Sequence, residues 1–130
     1  MPTITIKQLG ERVDLQIRQG STLGPVQCRL SDAATTLPID LTGCTIRGSV
    51  RKTLSSGEVA AQMVVGMASP ETGAFSFHIP ANVTAGLPVG PAITDPASAY
   101  VWDMEMEDGD GVVTPLYYGT ILLYPEVTKA

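Results

Sequence analysis

Short runs of alternating apolar and polar residues, separated by Gly, Pro, Asp and Ser, constrain the fold of this chain more than any other feature. Alternation with period 2 puts successive side chains on opposite faces of a strand, and helical periodicity is nearly absent. The predicted strands are Thr3 to Lys7, Val13 to Arg18, Leu23 to Leu30, Cys44 to Arg51, Val59 to Met67, Ala74 to Ile79, Tyr100 to Glu107 and Val112 to Tyr124. Strands at this spacing indicate an all-β sandwich or barrel.

Within each run one parity is apolar and predicts the core, while the other faces water or a partner. The predicted core residues are Val13, Leu15, Ile17, Val26, Cys28, Leu30, Cys44, Ile46, Val50, Phe75, Phe77, Ile79, Tyr100, Trp102, Met104 and Met106. The outward residues of three runs are Asp14, Gln16, Arg18, Thr45, Arg47, Ser49, Arg51, Asp103, Glu105 and Glu107.

The segments between the runs contain residues typical of turns. Asp108 to Gly111 predicts a hairpin because glycine accepts positive φ angles, and Ser69 to Gly73 predicts a second one. A short helix is expected between Ile79 and Leu87. The segment Pro88 to Ala99 contains three of the prolines and predicts a long loop, and loops of this length often carry function.

Composition and charge exclude several classes of protein. A net charge of −5 argues against binding to nucleic acid, because phosphate backbones require clustered Lys and Arg. The first residues reach Glu11 and Arg12 before any long apolar run, which argues against a signal peptide, and no stretch is long enough to cross a membrane. We therefore expect no membrane partner, synthesis in a cytoplasm, and reduced thiols at Cys28 and Cys44 in the core.

No group of residues has the spacing of a catalytic, metal or cofactor site. His78 lies on the outward parity and lacks partners for a zinc site or a triad. The acidic residues of the last hairpin lack the later ligands of a calcium loop, and a solvated turn is the favoured interpretation. No phosphate-binding loop or hydrolase elbow is present. The sequence therefore predicts a protein that is not an enzyme and has no cofactor, metal or small-molecule substrate.

The last strand is apolar on both parities, from Leu116 to Tyr124. In a two-sheet sandwich one of these faces points outward, so it needs cover from a partner or from the chain's own N-terminal strand. Tyrosine is also enriched at protein interfaces. The predicted contact residues lie in the N-terminal arm, the Pro-rich loop and this strand: Ile4, Ile6, Pro91, Ile93, Pro96, Tyr118 and Tyr124.

Four segments together resemble a known family: Asp40 to Arg51, Gly73 to Pro80, Tyr100 to Met106 and Gly119 to Thr128. Their order is similar to that of the small immunoglobulin-like β-sandwich domains of tailed-bacteriophage virions, including baseplate upper proteins. The resemblance implies an immunoglobulin-like antiparallel β-sandwich over residues 13–130, with residues 1–12 as an N-terminal arm or edge strand and one long Pro-rich loop. In that topology the charged outer residues Arg47 and Arg51 face the acidic residues of the Tyr100 strand.

The family has no catalytic residues, so the implied function is structural. We expect a virion component of the tail, baseplate or neck, made in the bacterial host cytoplasm and contacting other virion structural proteins and copies of itself. A head decoration or cement protein is one alternative. A carbohydrate- or receptor-binding module is another, although the core parity of Trp102 argues against a sugar platform at that residue.

Overall fold

The computed structural model of the chain describes residues 10–32, 35–53, 58–89 and 98–126. Within these ranges nearly all of the regular secondary structure is strand. The strands are β1 Glu11–Arg12, β2 Leu15–Arg18, β3 Leu23–Arg29, β4 Thr45–Arg51, β5 Ala61–Gln62, β6 Val64–Ser69, β7 Ala74–Ile79, β8 Ser98–Glu107 and β9 Val113–Tyr124. A short helix, α1 Ala81–Ala85, and a 3-10 turn, Pro70–Thr72, complete the described elements.

The strands form two sheets that share one core. The larger sheet has the order β1-β9-β8-β4-β5, with β2 also paired to β9, and the smaller sheet has the order β3-β7-β6. Side chains of both sheets meet in one buried cluster, where the rings of Phe77 and Trp102 lie 5.7 Å apart. The predicted all-β sandwich class is therefore confirmed.

Parity predicted the core correctly. Each predicted core residue is either buried or packed against the buried cluster, which also includes Leu41, Ile121 and Leu123. Cys28 and Cys44 are half-buried and carry free thiols, as expected. Burial raises the pKa of the Cys28 thiol, so the neutral form is favoured there. No helix in the described ranges is long and apolar enough to span a membrane.

The sandwich is not wholly antiparallel, which corrects one expectation. Both β1 and β2 run parallel to β9, with Glu11 opposite Tyr117 and Leu15 opposite Ile121. The predicted strand Val13 to Arg18 begins two residues later than expected, at Leu15 in β2, because Val13 and Asp14 leave the ladder between β1 and β2. Parallel pairing of segments this distant in sequence depends on the whole fold, so no local turn motif predicts it.

The predicted strand Val59 to Met67 is wrong as a single element. Its first part, β5, pairs with β4 in the larger sheet, and its second part, β6, pairs with β7 in the smaller one. Met63 lies between the two and is buried, and its N–H donates to the carbonyl of Gly48. The chain thus crosses from one sheet to the other without a Gly or Pro to mark the change.

The predicted turns are confirmed. Asp108 Oδ1 accepts hydrogen bonds of 2.9 Å from the N–H groups of Asp110 and Val112, which closes the hairpin between β8 and β9. Gly111 has a φ of 83°, a conformation that glycine adopts without strain. The Ser69 to Gly73 segment joins β6 to β7, and α1 provides the expected short helix.

Ser98 and Ala99, which were predicted as the end of the Pro-rich loop, instead belong to β8 and pair with Leu123 and Leu122 of β9. Two sets of predicted contact residues lie outside the described residues. They are Ile4 and Ile6 of the predicted strand Thr3 to Lys7, and Pro91, Ile93 and Pro96 of the loop.

Candidate subunit-contact surface

The outer face of the larger sheet carries a row of four side chains from four neighbouring strands. Arg12 of β1 is opposite Tyr118 of β9, Tyr118 is opposite Asp103 of β8, and Asp103 is opposite Ser49 of β4. Side chains at directly paired positions lie on the same face and within contact range. The register therefore brings together residues that are widely separated in the sequence.

A groove of about 480 Å³ lies over this row. Its floor includes Val101, Tyr118 and Gly119, and the guanidinium-bearing side chains Arg12 and Arg51 contribute to its lining. We call it the sheet groove. Its full lining is Arg12, Ser49, Arg51, Val101, Trp102, Asp103, Tyr118, Gly119 and Thr120.

Asp14 fixes one wall of the sheet groove. Its Oδ1 accepts hydrogen bonds from the N–H of Thr120 at 3.0 Å and from the Thr120 hydroxyl at 3.1 Å, and Arg12 Nε donates to the same carboxylate. The backbone donor of Thr120, with Arg12 adding to it, lowers the pKa of Asp14. The break between β1 and β2 thus places an ionised carboxylate where it anchors the edge of the sheet.

Next to the sheet groove, Arg47 forms the predicted charge pairs. Its Nε lies 2.7 Å from Glu105 and its second donor lies 3.2 Å from Glu107, across the antiparallel β4–β8 ladder. These side chains are about half exposed, so solvent screens each pair and its contribution to stability is small. Arg51 pairs in register with Val101, and its charge acts on Asp103, the neighbouring outward residue.

The pKa of Asp103 is raised. The main cause is partial burial of its carboxyl, the nearby charge of Glu105 adds to it, and the charge of Arg51 opposes both. A raised pKa means that the folded chain binds a proton more tightly than the unfolded chain, so ionised Asp103 destabilises the fold at neutral pH. The ionised carboxylate of Asp103 in the sheet groove therefore lowers the free energy of unfolding.

We therefore expect Asp103→Asn to raise the thermal midpoint at pH 7. The gain should shrink on acidification and vanish below the ordinary carboxyl value of 3.8, where Asp103 is protonated in both states. Thermal melts from pH 3 to 8 test this. Glu105→Gln is the matched control and should lower the midpoint, because it removes the negative charge that pairs with Arg47. A loss of stability in Asp103→Asn at pH 7 would contradict the expectation.

Of the predicted contact residues, the structure describes Tyr118 and Tyr124. Both are half-buried on the outer face, and Tyr118 lines the sheet groove. Tyr124 lies beside β2, with the guanidinium carbon of Arg18 6.0 Å from its ring centre. In the described part of the chain, β1 and β2 extend the sheet edge beside β9 and do not cover this outer face.

Trp102 is only 3% exposed, and its indole Nε1 donates to the carbonyl of Val13 at 2.9 Å. Its ring therefore cannot serve as a sugar platform in this fold. His78 is half-buried on the parity opposite Phe77. The described residues contain no group of three or more His, Cys, Asp or Glu that could hold a metal ion.

The hairpin between β8 and β9 ends in a tip that is both acidic and apolar. Asp110 is exposed, and Val112 and Val113 are 57% and 44% exposed. We call Asp108 to Val113 the hairpin tip. Sequence reasoning identified it as a turn but missed its exposed valines, and it missed the sheet groove as well. The alternation within each strand predicted that Arg51 and Asp103 point outward, but it could not predict that Arg12 lies beside them.

A scan of the sequence against protein-family models gives no match, and a search of curated proteins gives none either.

Proposed function

We propose that this chain is a non-enzymatic structural protein of a tailed-bacteriophage virion, with an immunoglobulin-like sandwich that acts through contacts between subunits. A place in the tail, baseplate or neck follows from the family resemblance of its strand motifs. The observation that carries the subunit-contact role is the outer face of the larger sheet, where a groove is lined by charged and aromatic side chains. Its partners are copies of itself and other virion proteins.

The strand arrangement supports the immunoglobulin-like form. The four segments that resemble the family contain or overlap β4, β8 and β9 of the larger sheet and β7, the central strand of the smaller sheet. At the start of β8, the hydroxyl of Tyr100 donates to the carbonyl of Pro88, 12 residues upstream, at 2.6 Å. Immunoglobulin-like domains have a tyrosine corner, in which a tyrosine hydroxyl also bonds to upstream backbone, but over only a few residues.

A buried threonine ties the short helix to the rest of the sandwich. Thr84 is fully buried, and its hydroxyl donates to the carbonyl of Ser21 and accepts from the N–H of Gly20. This bond joins α1 to the turn after β2. No buried side-chain polar atom in the described ranges lacks a hydrogen-bond partner.

The test is to find the chain in particles. Mass spectrometry of gradient-purified virions, followed by separation of heads from tails, should detect the chain in the tail fraction. Its presence in heads alone would favour the decoration alternative. Its absence from intact particles would contradict a virion role.

A variant lacking residues 1–9 tests whether the predicted arm mediates assembly. The described core is built from Val13 onward, so we expect the variant to keep nearly the same thermal midpoint. Its incorporation into particles should fall, because the removed segment includes the predicted contact residues Ile4 and Ile6. The full-length chain, produced in parallel, is the control. Normal incorporation of the shortened chain, or its unfolding, would contradict a docking role for the arm.

A further inference from the structure

The residues that line the sheet groove carry a net positive charge, whereas the protein as a whole is acidic. Of its charged lining residues, Arg12 and Arg51 are basic and Asp103 is acidic, whereas the whole chain has a net charge of −5. The bond from Arg12 to Asp14 is solvent-exposed, with side chains 58% and 52% exposed, so it can be exchanged at little cost. The floor formed by Val101 and the ring of Tyr118 adds an apolar patch between the charges.

The hairpin tip has the complementary chemistry. Asp110 carries an exposed carboxylate, and Val112 and Val113 expose apolar surface beside it. The two hydrogen bonds accepted by Asp108 hold the turn in shape, so little conformational freedom remains to be lost on binding. A preorganised acidic and apolar knob thus stands at one end of the molecule.

A hairpin tip cannot reach the groove of its own molecule. The groove lies beside Asp103, and the tip begins at Asp108, further along the same strand direction. At about 3.4 Å per residue, these five positions place the tip roughly 17 Å from the groove along the sheet. The ladder between β8 and β9 has one register shift after Met104 but pairs again from Glu105 to Glu107, and this pairing prevents the hairpin from folding back. Any contact between the two must join different molecules.

We propose that the hairpin tip of one copy inserts into the sheet groove of the next. Asp110 lies between the guanidinium groups of Arg51 and Arg12, and Val112 packs on Val101 and Tyr118. This inference rests on the proposed function and names the partner at its groove, a second copy of the chain. Because the two surfaces differ, the contact is head-to-tail, and repeating it gives a closed ring or an open filament.

Charge reversal tests the contact. Asp110→Lys places a cation at a cationic groove, and Arg51→Glu places an anionic groove opposite an acidic tip. Each variant should weaken self-association by about tenfold or more in sedimentation velocity, since juxtaposed like charges are strongly unfavourable. The chain with both changes, and an equimolar mixture of the two single variants, should recover association because opposite charges meet again.

Two matched controls change net charge by the same amount elsewhere on the surface. Glu71→Lys lies in the exposed 3-10 turn, and Arg29→Glu lies on an exposed position of β3. Both should associate like the unmodified chain, and thermal melts should show that all variants are folded. Effects of the controls as large as those of the test variants would indicate a dependence on net charge alone and would overturn the proposal.

Three further outcomes would also overturn it: an unmodified chain that stays monomeric up to millimolar concentration, single variants that associate normally, or no recovery in the mixture. A monomer that binds an immobilised saccharide, with binding lost in Tyr118→Ala, would assign the groove to a glycan instead. If the charge-reversal variants associate normally but the chain is found in virions, this contact would be excluded and the proposed function would stand. If the charge-reversal variants behave as expected but the chain is absent from virions, the contact between copies would stand and the proposed virion function would not.

Discussion

Replacing Trp102 by alanine should lower the free energy of unfolding by about 3–5 kcal/mol, the range for truncation of a large buried aromatic. The side chain is 3% exposed and lies between the two sheets, 5.7 Å from the ring of Phe77 and 6.4 Å from that of Tyr117. Its removal loses burial and leaves a cavity that the surrounding strands fill only in part. Denaturant unfolding monitored by circular dichroism measures the change.

Trp102→Phe separates packing from hydrogen bonding. The phenyl ring keeps much of the buried volume but cannot donate to the carbonyl of Val13, which the indole now reaches at 2.9 Å. We expect a smaller loss, about 1–3 kcal/mol, set mainly by the unsatisfied carbonyl. A Trp102→Ala chain that stays fully stable and loses only a specific ligand would show that this residue is a binding platform and not part of the core.

The features that could be predicted from sequence depend on neighbouring residues. Alternation assigned Phe75, Phe77 and Ile79 to the core because strand geometry fixes which face each side chain occupies. The hairpin at Asp108 was predictable because its aspartate and glycines favour a turn by themselves. Such features need no knowledge of the rest of the fold.

The features that were missed depend on register between distant segments. The parallel pairing of β2 with β9 joins residues more than 100 positions apart, such as Leu15 and Ile121. The change of sheet between β5 and β6 is decided by the pairing partners on each side, and the local residues alternate as they would in one strand.

The sheet groove was missed for the same reason. Three of its lining residues, Arg51, Asp103 and Tyr118, were each predicted to point outward from their own strand. Arg12 joins them only because β1 pairs with β9 at Tyr118. A groove formed by four strands is a property of their alignment, which alternation within each strand leaves open.

The close approach of Val13 to Gly119 is part of that alignment, and Gly119→Ala should destabilise the chain by about 3 kcal/mol, at the upper end for overpacking because the obstacle is backbone. A Cβ atom at this position would collide with the carbonyl oxygen of Val13 and would lie 2.7 Å from its carbonyl carbon and 2.9 Å from Asp14 Oδ1. Relief requires the connection between β1 and β2 to move away from β9, which breaks the bonds of Asp14 to Thr120 and of Trp102 to Val13.

Because the collision is local to the first strands, the effect of Gly119→Ala should also be local. Hydrogen exchange at the amides of Val13 and Thr120, which now donate to Tyr118 O and to Asp14, should accelerate more than exchange in the β4–β8 ladder. Gly109→Ala is the matched control, since a Cβ there meets nothing within 4 Å, and it should change stability by no more than about 0.5 kcal/mol. Equal stability of the two variants would mean that β1 and β2 do not approach β9 at Gly119, and the sheet groove would then lose the wall that Arg12 supplies.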